Sequence, residues 1–237
     1  MHVPLSYRVR VRVDEGRPHY AVLAMLTRYL RLLGDRLFIP VARLLLRAGV
    51  GPDAVTVAGT IGVVAAALWF FPRGEYVAGT LVVSVLVLAD SLDGAMARTM
   101  AAQGRRRSGE WGAFLDSTMD RFADAAIFAG LVVWFTGAGD DRPTALLALA
   151  CLVLGSVVPY ARARAEGLGM SASVGIAERA DRLLLVLVAT FVHGLGAPLL
   201  VLTLVLAVLA LASAVTVLQR MSTVHRQALQ RLAAASR

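Results

Sequence analysis

The sequence predicts an all-α polytopic membrane protein: six transmembrane helices with an N-terminal interfacial amphipathic helix, and both termini in the cytoplasm. Three observations predict it. The 237 residues are 58% hydrophobic, and their mean hydropathy of +0.69 is far above that of a soluble domain. Apolar runs of membrane-spanning length recur along the chain. Arginines gather in alternate connecting segments, as the positive-inside rule requires.

Each element has its own signature. Residues 1–20 read as a flexible basic tail with no compact apolar stretch, so no signal peptide is expected. Residues 21–48 are apolar but punctuated by Arg28, Arg31, Arg36, Arg43 and Arg47, the pattern of a helix lying in the interface. After a turn at Gly49–Asp53, spans are predicted at 54–71, 76–98, 112–135 and 144–161. Leu183–Leu218 is apolar throughout and too long for one crossing of about 20 residues. Gly194, Gly196 and Pro198 divide it into spans 182–194 and 198–218. The membrane domain thus covers 21–225, and 226–237 is a C-terminal tail. Arg73 and Arg142 alone fall on the side opposite the termini. That partition puts the 99–111 and 162–181 loops in the cytoplasm, at the inner face of the cell membrane.

All 24 basic residues are arginine, and the net charge is +8. Arginine suits bidentate phosphate binding and anionic lipid surfaces. A base-composition bias explains the absent lysine equally well. The charge is accounted for by the membrane, and no nucleic-acid partner is expected. The single cysteine, Cys151, excludes a disulfide within the chain and reads as packing.

Four aspartates interrupt this apolar sequence as two pairs, Asp90/Asp93 and Asp116/Asp120. A carboxylate costs roughly 3 kcal/mol at the centre of a membrane helix. On a helix, positions 90, 93, 94, 97 and 98 share a stripe; so do 112, 116 and 120, and Asp124 continues that second stripe. If the two helices pack face to face, four carboxylates converge beside small residues. Such oxygen-only ligation suits Mg²⁺ or Mn²⁺, with two ions about 4 Å apart. A lone aspartate near a helix end is usually a cap, but four at helical spacing exceed that role. A transporter pathway would spread acids across the bilayer depth; these cluster at one side, next to arginine-rich loops.

The two stripes read Asp90-Ser-Leu-Asp93-Gly94-Ala-Met-Ala97-Arg98 and Gly112-Ala-Phe-Leu-Asp116-Ser-Thr-Met-Asp120. This pattern, D-x2-D-G-x2-A-R then G-x3-D-x3-D, resembles the signature of the CDP-alcohol phosphotransferase family, and every fixed position is present. The thirteen-residue spacer, 99–111, is longer than the family's usual one; surface loops tolerate such length. The resemblance implies transfer of a phosphoalcohol group from a CDP-linked donor to an acceptor hydroxyl, with release of CMP. It implies that Asp90, Asp93, Asp116 and Asp120 hold the metals and that Asp120 is also the general base. Gly94, Ala97 and Arg98 would line the nucleotide site, with Gly112 beside them. Asp53, Ala54, Val55 and Thr56 match a nucleotide-contacting turn, although Asp53 also reads as a helix cap. Ser108 stands where the family offers a hydroxyl to the donor. The three arginines of the 99–111 loop are expected to close over the pyrophosphate.

Three helix ends carry further arginines: Arg162 with Arg164 and Glu166, Arg179 with Arg182, and Arg220. In a compact bundle these ends ring the aspartate cavity. Arg162, Arg179, Arg182 and Arg220 then favour a phosphate monoester as acceptor over a neutral alcohol. Anchoring to anionic headgroups is the plainer reading of any one of them. From about residue 35 to 225 the chain resembles the bacterial branch of the family that joins CDP-diacylglycerol to inositol 1-phosphate. That branch often has lysine where Arg162 stands and serine where Pro159 stands. The resemblance implies a homodimer among membrane lipids. Glycerol 3-phosphate is the alternative acceptor, and a transporter or non-catalytic scaffold the alternative of another class.

Overall fold

In the computed structural model, residues 39–102, 109–176 and 178–236 are described; within α3 the side chains at 90, 91, 93, 97, 98, 101 and 102 are not. The expected tail 1–20, most of the interfacial helix and Ser108 lie outside the described residues. The described residues contain helices and no strand. They form α1 (39–47), α2 (Pro52–Phe70), α3 (Tyr76–Ala102), α4 (Gly109–Thr136), α5 (Arg142–Gly167), α6 (Arg179–Gly194) and α7 (Leu199–Ala235).

Local chemistry explains the boundaries. Pro52 opens α2 from its first turn, where a missing N–H costs nothing. One 3₁₀ turn, Phe71–Arg73, then leads into α3. The Asp141 carboxylate caps α5, accepting from the Thr144 N–H at 2.9 Å. Hydrogen bonding from Thr144 holds that carboxyl below the ordinary aspartate range. Gly194 ends α6 and Pro198 precedes α7, which makes the tight hairpin that the sequence predicts.

Several helices outrun their apolar segments. α5 continues to Gly167 rather than 161, and α7 to Ala235 rather than 218. α3 runs to Ala102 and α4 starts at Gly109, so both ends of the predicted 99–111 loop are helical. Hydropathy marks where lipid stops; alanine, arginine, glutamine and leucine carry the helix on into water.

α2 packs against both α3 and α4, α4 against α5, α5 against α7, and α6 against α3 and α7. The core runs through the bundle, with Ala67, Phe71, Val83, Ile127, Leu131, Val186, Leu202 and Leu206 among its buried members. Gly130 lets α4 approach α2 closely: a Cβ there would lie 2.7 Å from the Ala67 carbonyl oxygen. α1 docks by Ala42 against Ala95 and Met96 of α3. At the opposite end, Tyr76 meets Trp134, Phe135 and His193.

Ile61, Leu68, Leu81, Val85, Leu149, Val153, Leu204 and Val208 face outward, as lipid contact demands. Four helical stretches are long and apolar enough to cross a membrane: Pro52–Arg73, Tyr76–Met96, Arg142–Gly167 and Leu199–Ala235. α4 carries Asp120, Arg121 and Asp124 within its apolar part. α6 has 16 residues, or about 24 Å at 1.5 Å per residue, against a hydrocarbon core of about 30 Å.

Candidate active site

α4 presents Gly112, Asp116, Asp120 and Asp124 at every fourth position, which stacks them on one stripe. α3 is uninterrupted from Tyr76 to Ala102, so positions 90, 93, 94 and 97 keep their shared stripe. Among the described residues, α3 and α4 each pack on α2. A cleft results, lined by Gly59 and Thr60 of α2, Leu86 and Val87 of α3, Asp120 of α4 and Arg179 of α6. Position 90 follows Leu86 by one turn of continuous helix. The α3 stripe therefore continues from the wall of this cleft toward the helix end that carries the motif.

Arg179 stands at the first turn of α6 and bridges two rungs of the aspartate ladder. Its Nη1 lies 2.9 Å from Asp120 Oδ1, and its Nε donates to Asp124 Oδ1 at 3.0 Å. Arg121 adds longer contacts to the same two carboxylates, at 3.7 and 3.9 Å. Asp124 is only 8% exposed, and it also faces Arg182 Nη2 at 3.8 Å. Three guanidinium groups thus share one buried carboxylate, which offsets their desolvation.

The four predicted acceptor arginines fall into distinct settings. Arg179 and Arg182 meet at Asp124. Arg182 is 3% exposed and also donates to the Gly155 carbonyl of α5 at 3.5 Å. Arg220 is buried; its Nε donates to Val174 O at 2.9 Å, and its Nη1 to Val158 O. Arg162 is exposed and paired with Glu166 at 2.9 Å, one turn along α5. Arg162, Glu166 and Glu178 lie within electrostatic reach of Arg220.

The predicted donor turn is the first turn of α2. Trp111 Nε1, on α4, donates to Asp53 Oδ2 at 3.0 Å and ties that turn to the start of the aspartate helix. Ala54 is exposed and Val55 half-buried. Thr56 is buried, and its hydroxyl donates to Pro52 O at 3.1 Å. Gly112 is buried on α4. The side chains of Ala97 and Arg98 lie outside the described set.

The donor set fits a hard divalent cation. Asp116 and Asp120 offer carboxylate oxygens one turn apart on α4, and positions 90 and 93 belong to the continuous helix α3. The described side chains alone hold no group of three such ligands, since Asp90 and Asp93 are outside them. Asp124 is placed on the stripe by the sequence but receives no role from it. Its place on the stripe was legible, but its arginine partner Arg179 lies 55 residues away.

Residues 50–218 match the family model for CDP-alcohol phosphatidyltransferase. A phosphatidylinositol phosphate synthase of Streptomyces avermitilis is 45% identical over 210 residues, spanning 86% of this chain and 84% of that one. The crystal structure of Mycobacterium tuberculosis phosphatidylinositol phosphate synthase with CDP-DAG bound superposes with a TM-score of 0.74 at 42% identity. It covers 80% of this chain and 94% of that one. The same Mycobacterium tuberculosis enzyme in complex with manganese and citrate gives a TM-score of 0.73 at 42% identity, covering 79% and 88%.

Proposed function

Because this chain belongs to the CDP-alcohol phosphatidyltransferase family, we propose that it transfers the phosphatidyl group of CDP-diacylglycerol to an inositol phosphate (1D-myo-inositol 3-phosphate). The products are phosphatidylinositol phosphate and CMP. The observation that carries this reading is the complete aspartate motif, set on two helices that flank one cleft. Relatives that bear the activity in their names, matched over four fifths or more of both chains, support the acceptor.

Asp90, Asp93, Asp116 and Asp120 would hold divalent cations, Mg²⁺ or Mn²⁺ and two per site, which neutralise the donor pyrophosphate when bound. Asp120 takes the proton of the acceptor hydroxyl. The hydroxyl oxygen forms a bond to the phosphorus that carries the diacylglycerol, and the bond from that phosphorus to the CMP oxygen breaks. The turn Asp53–Thr56, with Gly94, Ala97, Arg98, Ser108 and Gly112, binds the donor. Arg179 and Arg182, with Arg162 and Arg220 beside them, attract the acceptor phosphate.

The same reading places six spans in the cell membrane, with α4 and α6 completing the four apolar ones. The aspartate ends face the cytoplasm, where the arginine-rich segments lie. Exposed apolar faces on α2 and α5 leave room for a homodimer.

An acceptor panel tests the proposal. CMP release is measured with CDP-diacylglycerol and either inositol phosphate, free inositol or glycerol 3-phosphate. Release is expected with inositol phosphate, and preference for glycerol 3-phosphate would overturn the acceptor assignment while leaving the chemistry intact.

A further inference from the structure

The segment between α5 and α6 is held along its length by α7, from the last turn of its apolar run onward. Thr216, Arg220, Gln227 and Arg231 are spaced by four, seven and four residues and so share one stripe of α7. Each bonds the backbone of 168–176, in antiparallel order. Arg231 Nη1 donates to Leu168 O at 3.0 Å, and its Nη2 to Gly169 O. Gln227 grips Ser171 from both sides: its Nε2 donates to Ser171 O at 2.6 Å, and its Oε1 accepts from Ser171 N at 3.0 Å. Arg220 Nε donates to Val174 O, and Thr216 Oγ1 accepts from Ile176 N at 3.2 Å.

This is more than incidental contact. Apart from the buried Ala172 and half-buried Met170, the segment is exposed and has no ladder of its own, and side chains of α7 bond its backbone groups. Arg231 also places a cation on the free carbonyls at the C-terminus of α5, where the helix dipole favours one. Gly175 has φ +147, and a Cβ there would collide with the Thr216 methyl, so the closest approach requires glycine. The segment leads directly into Arg179, whose guanidinium reaches Asp120 and Asp124.

We propose that the extended end of α7 is a positioning device for the acceptor site, with Gln227 and Arg231 as positioning residues that hold the 168–176 segment and thereby set the place of Arg179. The inference rests on the proposed acceptor reading and deepens it. Gln227 and Arg231 touch no reacting group; they act through the segment they bind. Misplacing a positioning group by about 1 Å can cost up to about 10²-fold.

The test is the full chain carrying Gln227→Ala and Arg231→Ala together, with Arg231→Lys as the conservative variant and Arg226→Ala as a control off the stripe. Amide exchange of 168–176 is expected to quicken about tenfold in the double variant. The KM for inositol phosphate should rise about tenfold, with the KM for CDP-diacylglycerol unchanged. Thermal protection by inorganic phosphate should need a correspondingly higher concentration. Arg231→Lys should recover part of each effect, and Arg226→Ala should show none. Unchanged exchange would overturn the proposal. So would faster exchange with unaltered phosphate protection, or a rise of both KM values together. If the wild type releases no CMP with inositol phosphate, the functional reading fails, and the exchange and phosphate arms still decide the positioning role.

Discussion

Arg182 of α6 donates to the Gly155 carbonyl of α5 at 3.5 Å, and that carbonyl is the one Pro159 leaves without its helical N–H. A proline inside a helix removes the bond to the residue four before it and bends the axis. Here the vacated acceptor is turned toward a buried guanidinium that also faces Asp124. Pro159→Ala restores an N–H that competes with Arg182 for Gly155. Proline costs about 3 kcal/mol in a helix interior, so the variant should unfold at a higher temperature. The loosened Arg182 should raise the acceptor KM by up to about tenfold, since a hydrogen bond from a charged group contributes about 1.5 kcal/mol net. Thermal unfolding in detergent, together with steady-state kinetics, checks both signs.

Asp124→Asn removes the carboxylate on which Arg121, Arg179 and Arg182 meet. Truncating one partner of a buried ion pair costs about 3–5 kcal/mol, because the remaining cations stay desolvated. The variant should be less stable and should bind acceptor about tenfold more weakly. Its metal-titration midpoint should match the wild type, because Asp124 is not assigned to the metals. An altered metal midpoint would move Asp124 into the metal site.

Much of this arrangement was legible in the sequence, and the reasons are local. The helices follow from apolar run length, and the aspartate stripes from a spacing of three and four that any α-helix converts into a shared face. What stayed hidden is set by distant packing. Nothing local tells that α3 and α4 both pack on α2, or that Arg179 reaches back to Asp120 and Asp124. Residues 226–237 read as a tail because hydropathy measures fit to lipid; the gripping of 168–176 by Gln227 and Arg231 depends on where α5 ends in space.

Asp120→Asn keeps the size of the side chain and removes its capacity to take a proton. Loss of a general base typically costs 10²–10⁴-fold, so CMP release should fall by at least about 10²-fold. Chelation with EDTA should abolish turnover in the wild type, and added Mn²⁺ or Mg²⁺ should restore it. Retention of full turnover by Asp120→Asn would remove the base assignment.

Trp111→Phe separates two functions of one side chain. The ring stacks on Phe114 at 5.9 Å between centroids, while its N–H donates to Asp53 at 3.0 Å. Phenylalanine keeps the stacking and loses the donor. A bond of this kind contributes about 1 kcal/mol net, so the KM for CDP-diacylglycerol should rise about fivefold with the acceptor KM unchanged. A change confined to the acceptor would detach Asp53 from the donor turn.

The crossing of α6 decides the topology. Residues 138 and 230 bracket the apolar stretches of α5, α6 and α7; three crossings put them on opposite faces, whereas two would return them to the same one. α6 has 16 residues, short for a hydrocarbon core of about 30 Å, but short spans are accommodated by bilayer thinning and by flanking residues that reach the interface. Arg179 at its start and the Leu195–Pro198 turn at its end supply such flanks. Because Cys151 is buried, it is first replaced by Cys151→Ala. Ala138→Cys or Gln230→Cys is then added, both at exposed positions. A membrane-impermeant maleimide should label the Ala138→Cys variant in intact cells and the Gln230→Cys variant only after lysis. Labelling of both in intact cells, or of neither, would remove α6 from the membrane and with it the cytoplasmic placement of one of the two arginine groups.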